Sequence, residues 1–291
     1  MPEPRTLLTG LAVGESPRWH DGRLWFAHWG AQEIVAADLA GNSEVIARSP
    51  TVAGYSIDWL PDGRLLVTGR DLLRWEPSRG PEDADGALVS QADLSGLSPY
   101  GWNEIVVDGR GNVYLNSIGF RFGEEEFRPG IIALVAPDGS ARPVADGLAF
   151  PNGMVVTPDN RTLVVAESFA GTLTAFDVGA DGGLTNRRVW ADLGGPGAGD
   201  GICLDAEGAI WCSVLRDGRA ACLRVREGGQ VLERIELERA CFACMLGGED
   251  GRTLFMMVAE WLGVERMGEL FRSRTGRVLT ARAPAPHAGY P

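Results

Sequence analysis

The chain has 291 residues, and with 45% of them hydrophobic it can build a packed core and does not read as a disordered polymer. A net charge of −12 argues against a nucleic-acid partner, because phosphate binding needs a basic face. No run approaches the roughly 20 apolar residues of a membrane helix, so a membrane partner is not expected either.

The first ten residues, MPEPRTLLTG, lack the charged, apolar and small-residue succession of a secretory signal. The five cysteines all fall between Cys203 and Cys244, a poor disulfide framework, so the cytoplasm is the expected location. Cys241 and Cys244 form a CxxC, but Cys212 and Cys222 are wrongly spaced to complete a zinc site, and the pair reads as small buried residues.

In chain order, the segment 5–11 comes first. Its pattern matches the later stretches 142–148 and 188–193, which read as outer strands. A turn followed by an alternating apolar run then recurs six times, with the turn residues Gly22, Gly63, Gly111, Asn160, Gly208 and Gly251 as markers. Tips of this kind between alternating strands are hairpin signals. The markers are 41 to 49 residues apart, which is the length of a four-stranded propeller blade. The fourth unit shows all four strands, at 153–157, 161–166, 172–177 and 188–192. The expected fold is all-β, one six-bladed β-propeller domain over 1–291. Segment 5–11 lies beside 276–282 as the outermost strand of the last blade and closes the ring, since an unpaired edge would otherwise remain. Trp19, Trp25, Trp59, Trp75, Trp190 and Trp211 fall in strands and read as inter-blade core.

The same register points to a site. Seven or eight residues before each marker, at the start of each innermost strand, stand Glu15, Tyr55 or Ser56, Asn103, Asn152, Asp200 and Ala243. Four of these are carboxylates or carboxamides at matching height around one axis, at strand starts that disfavour them. Unpaired, they would be costly. Two anionic and two amide oxygens suit one hard divalent cation, Ca²⁺, with Mg²⁺, Mn²⁺ or Zn²⁺ also compatible. The alternative is a ring of hydrogen-bonded or solvated channel residues.

Gly14-Glu15-Ser16-Pro17, Pro151-Asn152-Gly153-Met154 and Gly199-Asp200-Gly201-Ile202 resemble three metal-binding signatures of the SMP-30/gluconolactonase/luciferin-regenerating-enzyme family. Asn103-Glu104-Ile105 resembles a fourth, usually Asn-Asp-Gly. The resemblance spans essentially the whole chain. It implies a metal-bearing six-bladed propeller, with Glu15, Asn152 and Asp200 as ligands, Asn103 touching metal or substrate, and Asp200 as general base. Two departures stand out. Glu104 replaces the usual Asp, and Gly101 stands where sugar lactonases of the family carry an arginine that grips substrate hydroxyls.

Second strands end at the same mouth, which places His28, Arg70, Ser117 to Phe120, Ser168, Arg216 and Trp261 on the rim. Asn103, His28, Ser168, Phe120 and Trp261 are the expected substrate contacts. His28 is either a proton-transfer aid or a plain hydrogen-bonding rim residue, and the insertion 120–129 is either a cover over the mouth or a solvated loop. The functional expectation is a metal-dependent hydrolase of a small cyclic ester, with a small molecule as its partner. The alternatives are an organophosphate hydrolase of the diisopropyl fluorophosphatase type and a non-enzymatic calcium-binding propeller.

Overall fold

The computed structural model describes residues 3–51, 54–77, 86–216 and 218–291. Within them the strands form six four-stranded antiparallel sheets, arranged as the blades of a propeller. The innermost strands of blades I to VI are Gly14–His20, Ile57–Trp59, Glu104–Val107, Pro151–Val156, Ala198–Leu204 and Ala240–Gly247. All six turn markers have positive φ, from 57° at Asn160 to 84° at Gly63. Glycine and asparagine adopt this backbone conformation at least cost, which is why those residue types mark the blades.

Blade VI is built from both ends of the chain. Its strands run Ala240–Gly247, Thr253–Ala259, Gly276–Arg282 and finally Arg5–Leu11, with Arg5 opposite Thr280 and Leu11 opposite Gly276. The core is a ring of apolar slabs, each shared by two neighbouring blades. Val155 and Val164 of blade IV pack with Ile202 and Ile210 of blade V, and Leu24 and Phe26 of blade I pack with Phe255 and Met257 of blade VI. Trp190 and Trp211 lie in such slabs, and Trp19 stacks on Phe255 at 5.5 Å. This arrangement puts the hydrophobic load between blades and leaves the axis to polar side chains.

Past Arg282 the chain crosses the channel end at which the inner strands finish. Ala206 N–H donates to Pro286 O, Ala288 N–H to Leu204 O, and Val156 and Tyr290 exchange both backbone bonds. The tail therefore straps blades V and IV at the end opposite the strand starts. All five cysteines are buried and unbridged. No helix among the described residues is long and apolar enough to cross a membrane.

Candidate active site

The strand starts are irregular where they carry the ring residues. Pairing between first and second strands shifts register between Glu15 and Arg18, between Pro151 and Met154, between Ala198 and Ile202, and between Cys241 and Ala243. A bulge of this kind bends a strand and re-aims a side chain. Here it turns Glu15, Asn152 and Asp200 toward the axis. Close approach of the blades explains the glycines that follow two of them. A Cβ on Gly153 would lie 2.6 Å from the carbonyl oxygen of Asp200, and one on Gly201 would lie 2.5 Å from the Cβ of Ala243. Val13, Ser16 and Phe150 also hold positive φ beside the site. For a β-branched residue such as Val13 this is a strained conformation that surrounding structure must enforce.

Side chains at this level link each blade to the next. Ser16 Oγ donates to Ile57 O at 3.3 Å, Ser56 Oγ to Asn103 O at 2.7 Å, and Asn103 Nδ2 to Pro151 O at 3.3 Å. Ser168 Oγ donates to Gly199 O at 2.7 Å, and Ser213 Oγ to Phe242 O at 3.3 Å. The carboxamide of Asn103 is thereby anchored through its nitrogen. Among the described residues no protein donor reaches its Oδ1.

Glu15, Asn103, Asn152 and Asp200 meet in one cavity of about 590 Å³ at the channel mouth, with Ser56 and Glu104 beside them. Its floor is short of positive charge. Burial, and then the charge of Glu104, push the Asp200 carboxyl up to about 8, against a lowering hydrogen bond from the Asn152 amide. Glu15 is raised well above the usual carboxylate range by burial and by the charges of Asp200 and Glu104. The nearby cation is Arg18, which contacts Glu104 at 3.4 Å, lies 3.7 Å from Asp58 and donates to Ile105 O at 2.7 Å. Glu104 Oε1 is buried without a hydrogen-bond donor. Arg18 thus answers Glu104, Asp58 and, at longer range, Glu15. Among the described residues no three His, Cys, Asp or Glu side chains cluster as a ligand set; the floor's donors are mixed carboxylate and carboxamide oxygens.

Of the expected rim residues, Ser168 and Trp261 line the cavity. His28 does not. It is buried, its Nε2 accepts the Ala12 N–H at 2.8 Å and its Nδ1 faces Glu33 at 3.4 Å. The chain leading from the clasp strand into blade I crosses over it, with Trp29 and Gly30 N–H groups donating to Val13 and Ala12, so the rim position is covered. Phe120 is also set back, buried behind Phe122, Phe150 and Phe169, which form the wall. Ser56, not Tyr55, is the cavity residue of blade II. The Tyr55 hydroxyl is buried on the carbonyls of His28 and Glu33. In blade VI the wall is formed by Cys241 and Phe242, not Ala243. The segment carrying the short helix Met267–Leu270 adds Met267, Leu270 and Phe271 to the opposite wall, which sequence spacing did not indicate.

The family model for the SMP-30/Gluconolactonase/LRE-like region matches residues 13–260. The chain belongs to this family. Regucalcin of Gallus gallus is a relative at 25% identity over 268 residues, covering 77% of this chain and 89% of its own. Pentonolactonase XacC of Haloferax volcanii is 24% identical over 271 residues, covering 91% and 88%. Among solved structures, a luciferin-regenerating enzyme superposes with a TM-score of 0.80 at 17% identity, over 98% of each chain. Glu104 and Gly101, the two departures from the family pattern, differ in place: Glu104 lines the cavity floor, whereas Gly101 lies outside the lining, against the backbone of Gly69.

Proposed function

We propose that the protein is a divalent-cation-dependent hydrolase of small cyclic esters. The observation that carries this reading is the cavity floor, where three buried carboxyl side chains and two carboxamides meet and, among the described residues, no Arg, Lys or His lines the cavity. Such a donor set fits a hard cation, with Glu15, Asn103, Asn152 and Asp200 as the oxygens that would hold it. Membership of a family whose relatives include a pentonolactonase supports the choice of ester. Glu104 adds negative charge beside these residues and is partly offset by Arg18.

A bound cation supplies Lewis-acid polarisation of the ester carbonyl. The chain's own part is to place and move protons. Asp200 accepts a proton from the attacking water, whose oxygen bonds to the carbonyl carbon. The ring C–O bond then breaks, the departing ring oxygen takes that proton, and the product is an open hydroxy acid. The Asn152 amide orients the Asp200 carboxylate, and the apolar walls keep bulk water from competing. The walls also favour one second reading, hydrolysis of apolar phosphorus esters, which the similarity to diisopropyl-fluorophosphatase of Loligo vulgaris supports, at 26% identity over 196 residues.

The test is kinetics on a panel of lactones and a fluorophosphate, after chelation and after return of Ca²⁺, Mg²⁺, Mn²⁺ or Zn²⁺ singly. Lactone turnover that is lost on chelation and restored by one cation is expected. Unaltered turnover after exhaustive chelation would overturn the cation dependence, and faster turnover of the fluorophosphate would favour the second reading.

A further inference from the structure

We infer, resting on the hydrolase reading above, that the substrate is a neutral cyclic ester carrying an alkyl or aryl substituent. Two insertions that meet over the mouth, from blades III and VI, are its specificity elements.

Charge excludes anionic substrates first. Among the described residues no Arg, Lys or His lines the cavity, while Glu15, Glu104 and Asp200 do. A divalent cation held on that floor would be neutralised by these three carboxylates, and nothing on the walls would pair with a phosphate or carboxylate of the substrate. Substrate hydroxyls fare little better. The lining serine hydroxyls already donate to backbone carbonyls of the next blade, Ser56 to Asn103, Ser168 to Gly199 and Ser213 to Phe242. A polyhydroxylated ring would find few donors on the walls, and its acceptors would be confined to the floor, where the cation would take the carboxylate and carboxamide oxygens; an unpaired buried hydroxyl carries its full desolvation penalty. No guanidinium arrives from elsewhere. A Cβ at Gly101 would lie 2.9 Å from Gly69 O, so backbone closes that position. Arg216 is turned to Leu193 O, and Arg70 is exposed outside the lining.

The walls are built for apolar contact. Phe122, Phe150 and Phe169 interlock on one side, with Phe122 and Phe150 edge to face at 5.1 Å and Phe150 and Phe169 at 4.8 Å. Phe120 backs them, 5.8 Å from Phe150. Phe242, Trp261 and Met267 line the same cavity, with Phe242 and Trp261 edge to face at 6.2 Å. Blades III and VI lie across the ring from each other, yet their insertions touch. A Cβ built on Gly123 would stand 2.9 Å from Val264 Cγ1. The blade III insertion is further pinned from within, the Glu125 carboxylate accepting the Arg121 N–H at 3.0 Å and pairing with the Arg121 guanidinium. The roof so formed makes a chamber within the roughly 300–1,000 Å³ range of small-molecule sites, with its polar groups confined to the floor. The hydroxy acid product carries a new negative charge that no side chain of the walls pairs, which favours its release.

The experiment compares kcat/KM of the full chain, loaded with its preferred cation, for δ-decalactone, δ-valerolactone and glucono-1,5-lactone. The pentyl chain of decalactone is expected to raise kcat/KM by about 10- to 100-fold over valerolactone through burial on these walls, with glucono-1,5-lactone below both. Phe169→Gln and Trp261→Gln should each shrink the decalactone-to-valerolactone ratio by about tenfold. Calorimetric binding of 6-pentylpiperidin-2-one, a lactam that resists hydrolysis, separates this inference from the hydrolase reading. Lactam binding without turnover of any lactone would sustain the apolar chamber and sink the hydrolase. Turnover of glucono-1,5-lactone matching or exceeding decalactone, or a ratio unmoved in both variants, would overturn the inference and leave the hydrolase standing.

Discussion

Asp200 and Asp205 sit at opposite ends of one inner strand and have opposite surroundings. Asp205 is buried, and its Oδ1 accepts the N–H groups of Glu207 and Ala209 at 2.9 and 3.0 Å while its Oδ2 accepts Arg224 Nε at 2.7 Å. Asp108 repeats the pattern in blade III, taking the N–H groups of Arg110 and Asn112 at 2.9 Å and the Asn112 side-chain amide. Asp200 has no such saturation. Burial and the charge of Glu104 raise its carboxyl to about 8, and the Asn152 amide offsets this only in part. A buried carboxylate that is fully hydrogen-bonded holds a turn together. One left short of donors, in a cavity beside two others, is poised for a cation or a proton.

The sharpest way to break this contrast is Asp200→Asn. With cation at saturation, turnover should fall by about 10²–10⁴, the usual range for a general base. Above pH 8, where the Asp200 carboxyl is ionised, the cation-free variant should melt no lower than the parent, since an ill-satisfied charge has been removed. Recovery of turnover at full cation occupancy would reduce Asp200 to a ligand. Asp205→Ala should do the reverse. It strips Arg224 of its buried partner and should lower unfolding free energy by about 3 kcal/mol, measurable by urea titration, while cation affinity of the folded protein is kept. Next in size, Glu15→Ala and Asn152→Ala should each weaken cation affinity at least roughly tenfold by deleting one oxygen donor. Calorimetric titration with Ca²⁺, Mn²⁺ and Zn²⁺ reads this directly, and unchanged affinity in both variants would dismantle the proposed ligand set.

The last effect is on pH. In the cation-free protein the Asp200 pKa, about 8, lies above its unfolded value. A cation must then displace a proton, so affinity should weaken below pH 8 by up to about tenfold per unit. Stability follows the same linkage. The folded state holds this proton where the unfolded chain has lost it, so cation-free stability should decline as pH rises from about 4 toward 8. Calorimetry in buffers of different ionisation enthalpy counts the released protons, and a count of zero at pH 7 would contradict the contrast drawn above.

How much of this was legible in the sequence depended on the range of the interactions involved. The blade period was readable because each turn marker records a local requirement for positive φ. That Glu15, Asn103, Asn152 and Asp200 share one cavity was legible from their common distance to the turn markers, a register that repeats with the blades. The strand pairing of 5–11 with 276–282 was readable from its likeness to other outer strands. His28 was not, because what covers it is the chain at Ala12 and Val13 crossing from another blade's clasp. Nor does spacing within an insertion say which phenylalanine faces inward. Phe120 points back, and Phe122 and Phe169 line the wall, because the insertion folds against Phe150 and meets Val264 across the mouth.

The clasp has a consequence for how the molecule is made. Arg5 and Thr280 are 275 residues apart in sequence and adjacent in space. At ~5–20 residues per second, a ribosome needs on the order of 15–50 s between synthesising the first partner and the second. Blades I to V can form during that interval, since each is local in sequence. Blade VI cannot, and the strand 5–11 waits with its hydrogen-bonding edge unpaired. Closing so large a loop costs only slowly more entropy as length grows, so the delay is set by synthesis and search rather than by final stability. Ring closure waits for the strand 276–282, and the interval before it is when edge-to-edge aggregation competes with folding.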